Sequence, residues 1–330
     1  MKKHNILSSA AGLAAVACLA ACTPKAAPQK AEAAENQTPA VAEEPVLVRT
    51  DVPNKAFFKD LFIDSGIRIN AFPTMPTTSY LGLSYEWMRI GKDTLPNQDL
   101  QREIICGSAD DTNGRLLYPD GEPRFKVIYV NGGLSDAHGL TLEKAGRETY
   151  RKFFENGGSY TGSCAGGYLC TAGFDRYYQG PGYLGIWPGM ADEAAITKIF
   201  PNYIIPEDSP LLKYYDFGGD RKVDSVKHWN GPFYAHWQGV PGTEVLARNE
   251  IPGRILDSHP SIIAWKKDAF TGRAVPCGGH PEQITSGERR DMMAAMMRYA
   301  CDGNGQPNSK CTLTNGHERK MDQLSTAAKP

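Results

Sequence analysis

Phe125-Lys126-Val127-Ile128-Tyr129-Val130 is a β-branched and aromatic run that ends in Asn131-Gly132-Gly133, the pattern of a buried strand entering a tight loop. Leu142, Ala145, Thr149, Tyr150, Phe153 and Phe154 then recur at steps of three and four until Gly157-Gly158, which predicts a crossing helix and its stop. Ser159-Tyr160-Thr161 follows as a short strand leading into Gly162. Strand, helix and strand in that order imply two parallel strands joined by a right-handed crossover, and so an α/β fold with a parallel sheet.

Later segments extend the same plan. Glu244 to Arg248, Ser261 to Trp265 and Arg273 to Cys277 read as strands separated by turn residues. Thr285 and Glu288 have the spacing of a capping box for a helix carrying Met292, Met293, Met296, Met297 and Ala300, whose methionines are core filling at helical spacing. Upstream, Leu61-Phe62-Ile63 reads as an early strand and Tyr80 to Ile90 as a helix. Residues 49–302 therefore form one sizeable core, and residues 303–330 a polar tail.

The amino terminus addresses location. Lys2 and Lys3 precede an apolar stretch from Ile6 to Ala21, too short for a membrane span, and Leu19-Ala20-Ala21-Cys22 is a small-residue cleavage site ending in cysteine. The pattern resembles a bacterial lipoprotein signal, residues 1–21, with Cys22 lipidated. Thr23 follows where an aspartate would suggest retention in the inner membrane, so the expectation is an outer-membrane anchor facing the periplasm. The rest of residues 22–48 is rich in Ala, Pro, Glu, Gln and Lys, and buries too little to fold. Such a tether holds a domain on the order of 30 Å from its anchor. Lys and Arg number 36 against 37 Asp and Glu, a net charge of −1, so no field favours nucleic acid, and the membrane is met through the lipid alone.

Export leaves cysteines where disulfides persist. Cys301 and Cys311 flank a polar, turn-rich loop and form the best candidate pair. No close Cys/His cluster suggests zinc, and no cofactor is expected.

Gly162-Ser163-Cys164-Ala165-Gly166-Gly167 puts a cysteine on a turn from strand to helix, with small residues on both sides. Free backbone N–H groups there favour the thiolate, the logic of a nucleophile elbow. His280-Pro281-Glu282 offers a base and, two residues on, a carboxylate to orient it. Gly133 and Ala165 offer backbone N–H groups for an oxyanion hole. Tyr168, His138 and Trp229 are candidates for the substrate wall, though His138 reads more readily as capping a turn; His228, His236 and Trp237 are weaker wall candidates, and His259 a rival base. The glycines lack the Lys-Ser/Thr of a phosphate loop, and Cys170 stands where a cysteine phosphatase needs arginine.

These residues resemble the class I glutamine amidotransferase superfamily. With Tyr160 before Gly162 and with Trp229-Asn230-Gly231-Pro232 between the two segments, the pattern from Phe125 to Tyr299 is similar to the branch at the amino terminus of eukaryotic biotin-protein ligases. The resemblance implies a flavodoxin-like three-layer sandwich with a mostly parallel central sheet, and a triad of Cys164, His280 and Glu282. Tyr168 stands where glutamine-hydrolysing members carry a glutamine, which argues against glutamine as substrate. Two functions follow as expectations: an envelope enzyme forming a thioester on Cys164 with a small amide or peptide, or a binding or scaffolding module that keeps the shape without turnover.

Overall fold

The computed structural model describes residues 57–66, 75–88, 114–118, 120–174, 180–193 and 198–305. Cys22, the tether and Cys311 lie outside them. Strand β1 (Lys59–Asp64) is followed by helix α1 (Pro76–Leu81) and strand β2 (Tyr85–Met88). Tyr80 to Ile90 is thus not one helix. Pro76 starts α1, Gly82 ends it at φ 65, and the chain turns to lay β2 parallel along β1, Tyr85 opposite Leu61. Strand pairing outweighs whatever helical preference the stretch carries.

The β-α-β unit forms with one elaboration. After β3 (Phe125–Val130) come two helices, α2 (Ser135–Thr141) and α3 (Glu143–Glu155), separated where Glu143 takes φ 53. Strand β4 (Ser159–Ser163) then lies parallel to β3, and the short helix α4 (Ala165–Leu169) springs directly from its end. Strands β5 (Gly173–Phe174) and β6 (Met190–Glu193) lead to β7 (Asn202–Ile204), β8 (Lys222–Val223) and β9 (Pro232–Phe233). Strands β10 (Glu244–Glu250), β11 (Pro260–Ala264) and β12 (Ala274–Cys277) and helix α5 (Gly287–Asp302) complete the domain. The Thr285 capping box does not form: Gly287 turns at φ 74, Ser286 takes the cap position, and its side chain makes no capping bond.

The main sheet runs β2-β1-β3-β4-β12-β11-β10-β7-β8. From β2 to β12 every pairing is parallel, in the 2-1-3-4-5 order of a flavodoxin-like sheet. From β12 onward every pairing is antiparallel, so the sheet is parallel only in the half that bears Cys164. Alternation along β1 and β3 sends Phe62, Ile128 and Val130 to one core, with Tyr150 and Phe153 of α3, and Phe125 at the start of β3 joins them. Leu61, Ile63, Val127 and Tyr129 point to the other, with Met292, Met293, Met296 and Met297 of α5. Two cores on opposite faces of one sheet make a three-layer sandwich. Gly303 to Gly305 stay bound to it: the Asn304 amide donates to the Lys126 and Gly157 carbonyls at 2.6 and 3.1 Å, so the folded domain runs past Asp302.

Candidate active site

Strands β4 and β12 are adjacent and parallel with Ser163 opposite Cys277, so whatever follows each strand emerges at the same sheet edge. Cys164 follows the first and His280 the second. The Cys164 N–H donates to the Cys277 carbonyl at 2.9 Å, tying the two exits together.

Cys164 sits at φ 51, ψ −106, a strained conformation for a residue with a side chain. Close packing enforces it. A Cβ on Gly166 would come within 2.1 Å of the Val130 carbonyl oxygen, so α4 is pressed against the end of β3 where only glycine fits. Helix α4 spans five residues, so any help to a thiolate comes from its free N–H groups rather than from a long macrodipole.

The side chain is 7% exposed. Its Sγ donates to the Trp229 carbonyl at 3.4 Å, and it shares the wall of one cavity with the His280 imidazole. The Glu282 carboxylate holds that imidazole, Oε1 to Nδ1, at 2.9 Å. Burial would lower the His280 pKa, but the Glu282 charge, the neighbouring Cys164 and the bond to Glu282 outweigh it and raise it to about 10. The imidazolium is the stable form at neutral pH. Glu282 is itself buried, and its Oε2 has no hydrogen-bond partner among the described residues. By contrast, burial pushes the Cys170 and Cys277 thiols up, away from nucleophilic use.

Two cavities open on Cys164. One, of ≈230 Å³, is walled by Asn131, Gly132, Lys227, Trp229, His280 and Gln283 among others. The second, of ≈330 Å³, lies towards Ala165, Leu134, Asp136, Tyr168, Phe174 and Glu193. Gly133 borders both cavities, and Ala165 the second. Tyr168 is wall, packing edge-on against Phe174 at 5.5 Å, and Trp229 walls the first cavity.

His138 is neither wall nor turn cap. It is 1% exposed and bonds Asp64 Oδ2 at 2.8 Å through Nε2. Tyr150 donates to the same oxygen at 2.5 Å and the Gly66 N–H to Oδ1 at 3.0 Å. Asp64 ends β1, far away in sequence, which is why His138 alone gives no hint of its burial. His228 is buried behind the Trp229 loop, bonded to the Gly231 carbonyl at 3.1 Å; burial lowers its pKa to about 4, so it stays neutral. His236 pairs with Asp192 and His259 packs against Phe233, neither on a cavity wall. Cys301 ends α5 in no disulfide among the described residues.

Lys227, Gln283, Asp136, Phe174 and Glu193 reach the cavities without sequence warning. Lys227 directly precedes His228-Trp229, and that adjacency is the one available signal.

No known family matches the chain by sequence. An uncharacterized protein of Chlamydia muridarum is 26% identical over 216 residues, 61% of this chain and 79% of the relative. Solved structures similar to it include a glutamine amidotransferase, with 16% identity, TM-score 0.43, and 68% of this chain and 90% of that one covered. A glutamine amido transferase from Methylobacillus flagellatus follows at 11% identity and TM-score 0.41, covering 79% and 99%. A ThuA-like protein from Bacteroides uniformis is similar at 13% identity and TM-score 0.44, again covering 79% and 99%. Two of these three structures are described as glutamine amidotransferases, and the likeness is one of fold alone.

Proposed function

We propose that the chain is an amidotransferase-like enzyme of the cell envelope that hydrolyses or transfers the acyl group of a small amide or peptide through a thioester on Cys164. The observation that carries this reading is a partly buried His280, held by the Glu282 carboxylate, on the same cavity wall as the sulfur of a strained Cys164. In this reading the thiolate attacks the carbonyl, the N–H groups of Gly133 and Ala165 receive the oxyanion, and His280 protonates the leaving nitrogen. The Gly-x-Cys-Ala-Gly-Gly and Trp229-Asn230-Gly231-Pro232 segments support kinship with the domain at the amino terminus of eukaryotic biotin-protein ligases. Cys22 supports a lipid anchor in the outer membrane, facing the periplasm.

The purified full chain should be alkylated by iodoacetamide at Cys164 within minutes at pH 7, with Cys170 and Cys277 spared, and the labelling should vanish in Cys164→Ala. A wild-type Cys164 no more reactive than the other two thiols overturns the enzyme in favour of a binding or scaffolding module. Metabolic labelling with a fatty acid, lost in Cys22→Ala, tests the anchor.

A further inference from the structure

The two cavities flanking Cys164 carry opposite charge. The first is lined by Lys227, His280 and Glu282; the Glu282 carboxylate is committed to His280, while Lys227 hydrogen-bonds Gln283 at 3.5 Å and rides over the Trp229 ring at 5.5 Å, with no carboxylate in salt-bridge contact among the described residues. Beside it, Asn131 is 2% exposed, and its Nδ2 has no hydrogen-bond partner there. A cation and a buried, unused amide donor suit an anion.

In the second cavity the carboxylates are Asp136 and Glu193. Asp136 accepts a bond from the Ala137 N–H at 2.8 Å, Glu193 from the Asn230 amide at 3.3 Å, and neither is ion-paired among the described residues. Tyr168, 6% exposed, places its ring in this wall, and its hydroxyl has no hydrogen-bond partner among them. Two carboxylates with the rings of Tyr168 and Phe174 suit a cation, by charge and by the π-face.

His280 fixes which side is which. It borders only the cationic cavity, so a leaving nitrogen that takes its proton lies there, and the acyl group lies in the acidic cavity towards Ala165. Resting on the reading of Cys164 as nucleophile, we infer that the substrate is a short zwitterionic peptide, with an ammonium on the acyl residue and a carboxylate on the leaving residue. The thiolate of Cys164 bonds to the carbonyl carbon, the C–N bond breaks, and His280 gives its proton to the departing amine. That product is an amino acid whose carboxylate leaves past Lys227. Water then attacks the thioester, His280 takes a proton from it, the S–C bond breaks, and the free acid departs as the thiolate returns. Glutamine fits badly, since its leaving group is ammonia and both its charges lie on the acyl side.

The test uses alanyl-alanine, its N-acetyl and C-amide forms, and glutamine, each assayed for cleavage and for protection of Cys164 from iodoacetamide. Protection reads binding even where turnover is slow. The free dipeptide should be preferred by about 10-fold or more over either capped form. Glu193→Gln should erase the penalty for acetylation alone, and Lys227→Gln the penalty for amidation alone, with melting temperatures unchanged. Equal handling of all four compounds, a preference for a capped form or for glutamine, or variants that lower everything uniformly overturns the inference. A Cys164 unreactive to iodoacetamide instead removes the nucleophile reading beneath it.

Discussion

His280 depends for its charge on one neighbour. Its raised pKa, about 10, means the imidazolium contributes stability fully below about pH 6.5 and loses it as pH rises through 10. Turnover by the wild-type site, which needs the His280 proton for the leaving nitrogen, should therefore hold its rate to near pH 10. In Glu282→Gln the opposing charge is gone and burial dominates, so that alkaline limit should fall by roughly 2 units or more, and the stability gap between the two proteins should close above pH 10. A limit that stays near 10 in the variant means that Glu282 does not set the proton affinity. Gly132 is the second sensitive point: a Cβ there would meet His280 Cε1 at 2.6 Å and Cys164 Cβ at 3.5 Å. Gly132→Ala should leave the fold intact while pushing the imidazole aside. Since misplacing a reacting group by about 1 Å costs ~100-fold, turnover should drop by about that factor, as measured against far-UV dichroism.

Among the elements, the end of β1 is braced by a buried carboxylate. Burial would raise the Asp64 pKa, but the His138 charge and bonds from His138, Tyr150 and Gly66 lower it. Its contribution is present above about pH 3.9 and is lost as pH falls through the lowered value. Asp64→Asn should cost about 3 kcal/mol at neutral pH, with the deficit shrinking in acid, as read by denaturant melts at a series of pH values. A variant as stable as the wild type at pH 7 contradicts this. The same bracing marks what the sequence could convey. Strand β3 and the glycine loops are written in contiguous residues, and the strand ends and turns could be read there. Helix α2 could not: the burial of His138 depends on Asp64, 74 residues away, and neighbours along the chain carry no trace of that. Likewise β2 takes its conformation from pairing with β1, not from its own preference.

At the scale of the molecule, Asn304 bonds the end of α5 to the Lys126 carbonyl at the start of β3 and to Gly157 before β4. Asn304→Ala should lower stability by about 1–3 kcal/mol without altering Cys164 alkylation, because the bonds lie at the sheet edge opposite the site. Cys164, His280 and Glu282 were legible because each pair of roles sits in a short motif, whereas Lys227 and Glu193 meet the sulfur only through the folded cavities. Those cavities depend on the seam where the sheet changes from parallel to antiparallel. At that seam β12 lies against β4, and Thr161 bonds the Val275 carbonyl at 2.8 Å across 114 residues of chain. During synthesis a contact so distant in sequence cannot form until both strands have been made. Cys164 therefore has neither His280 nor Glu282 beside it until nearly the whole domain has been made and β12 has inserted. The proposed site is thus assembled only by completion of the fold, and a chain cut short before β12 carries Cys164 without His280 or Glu282.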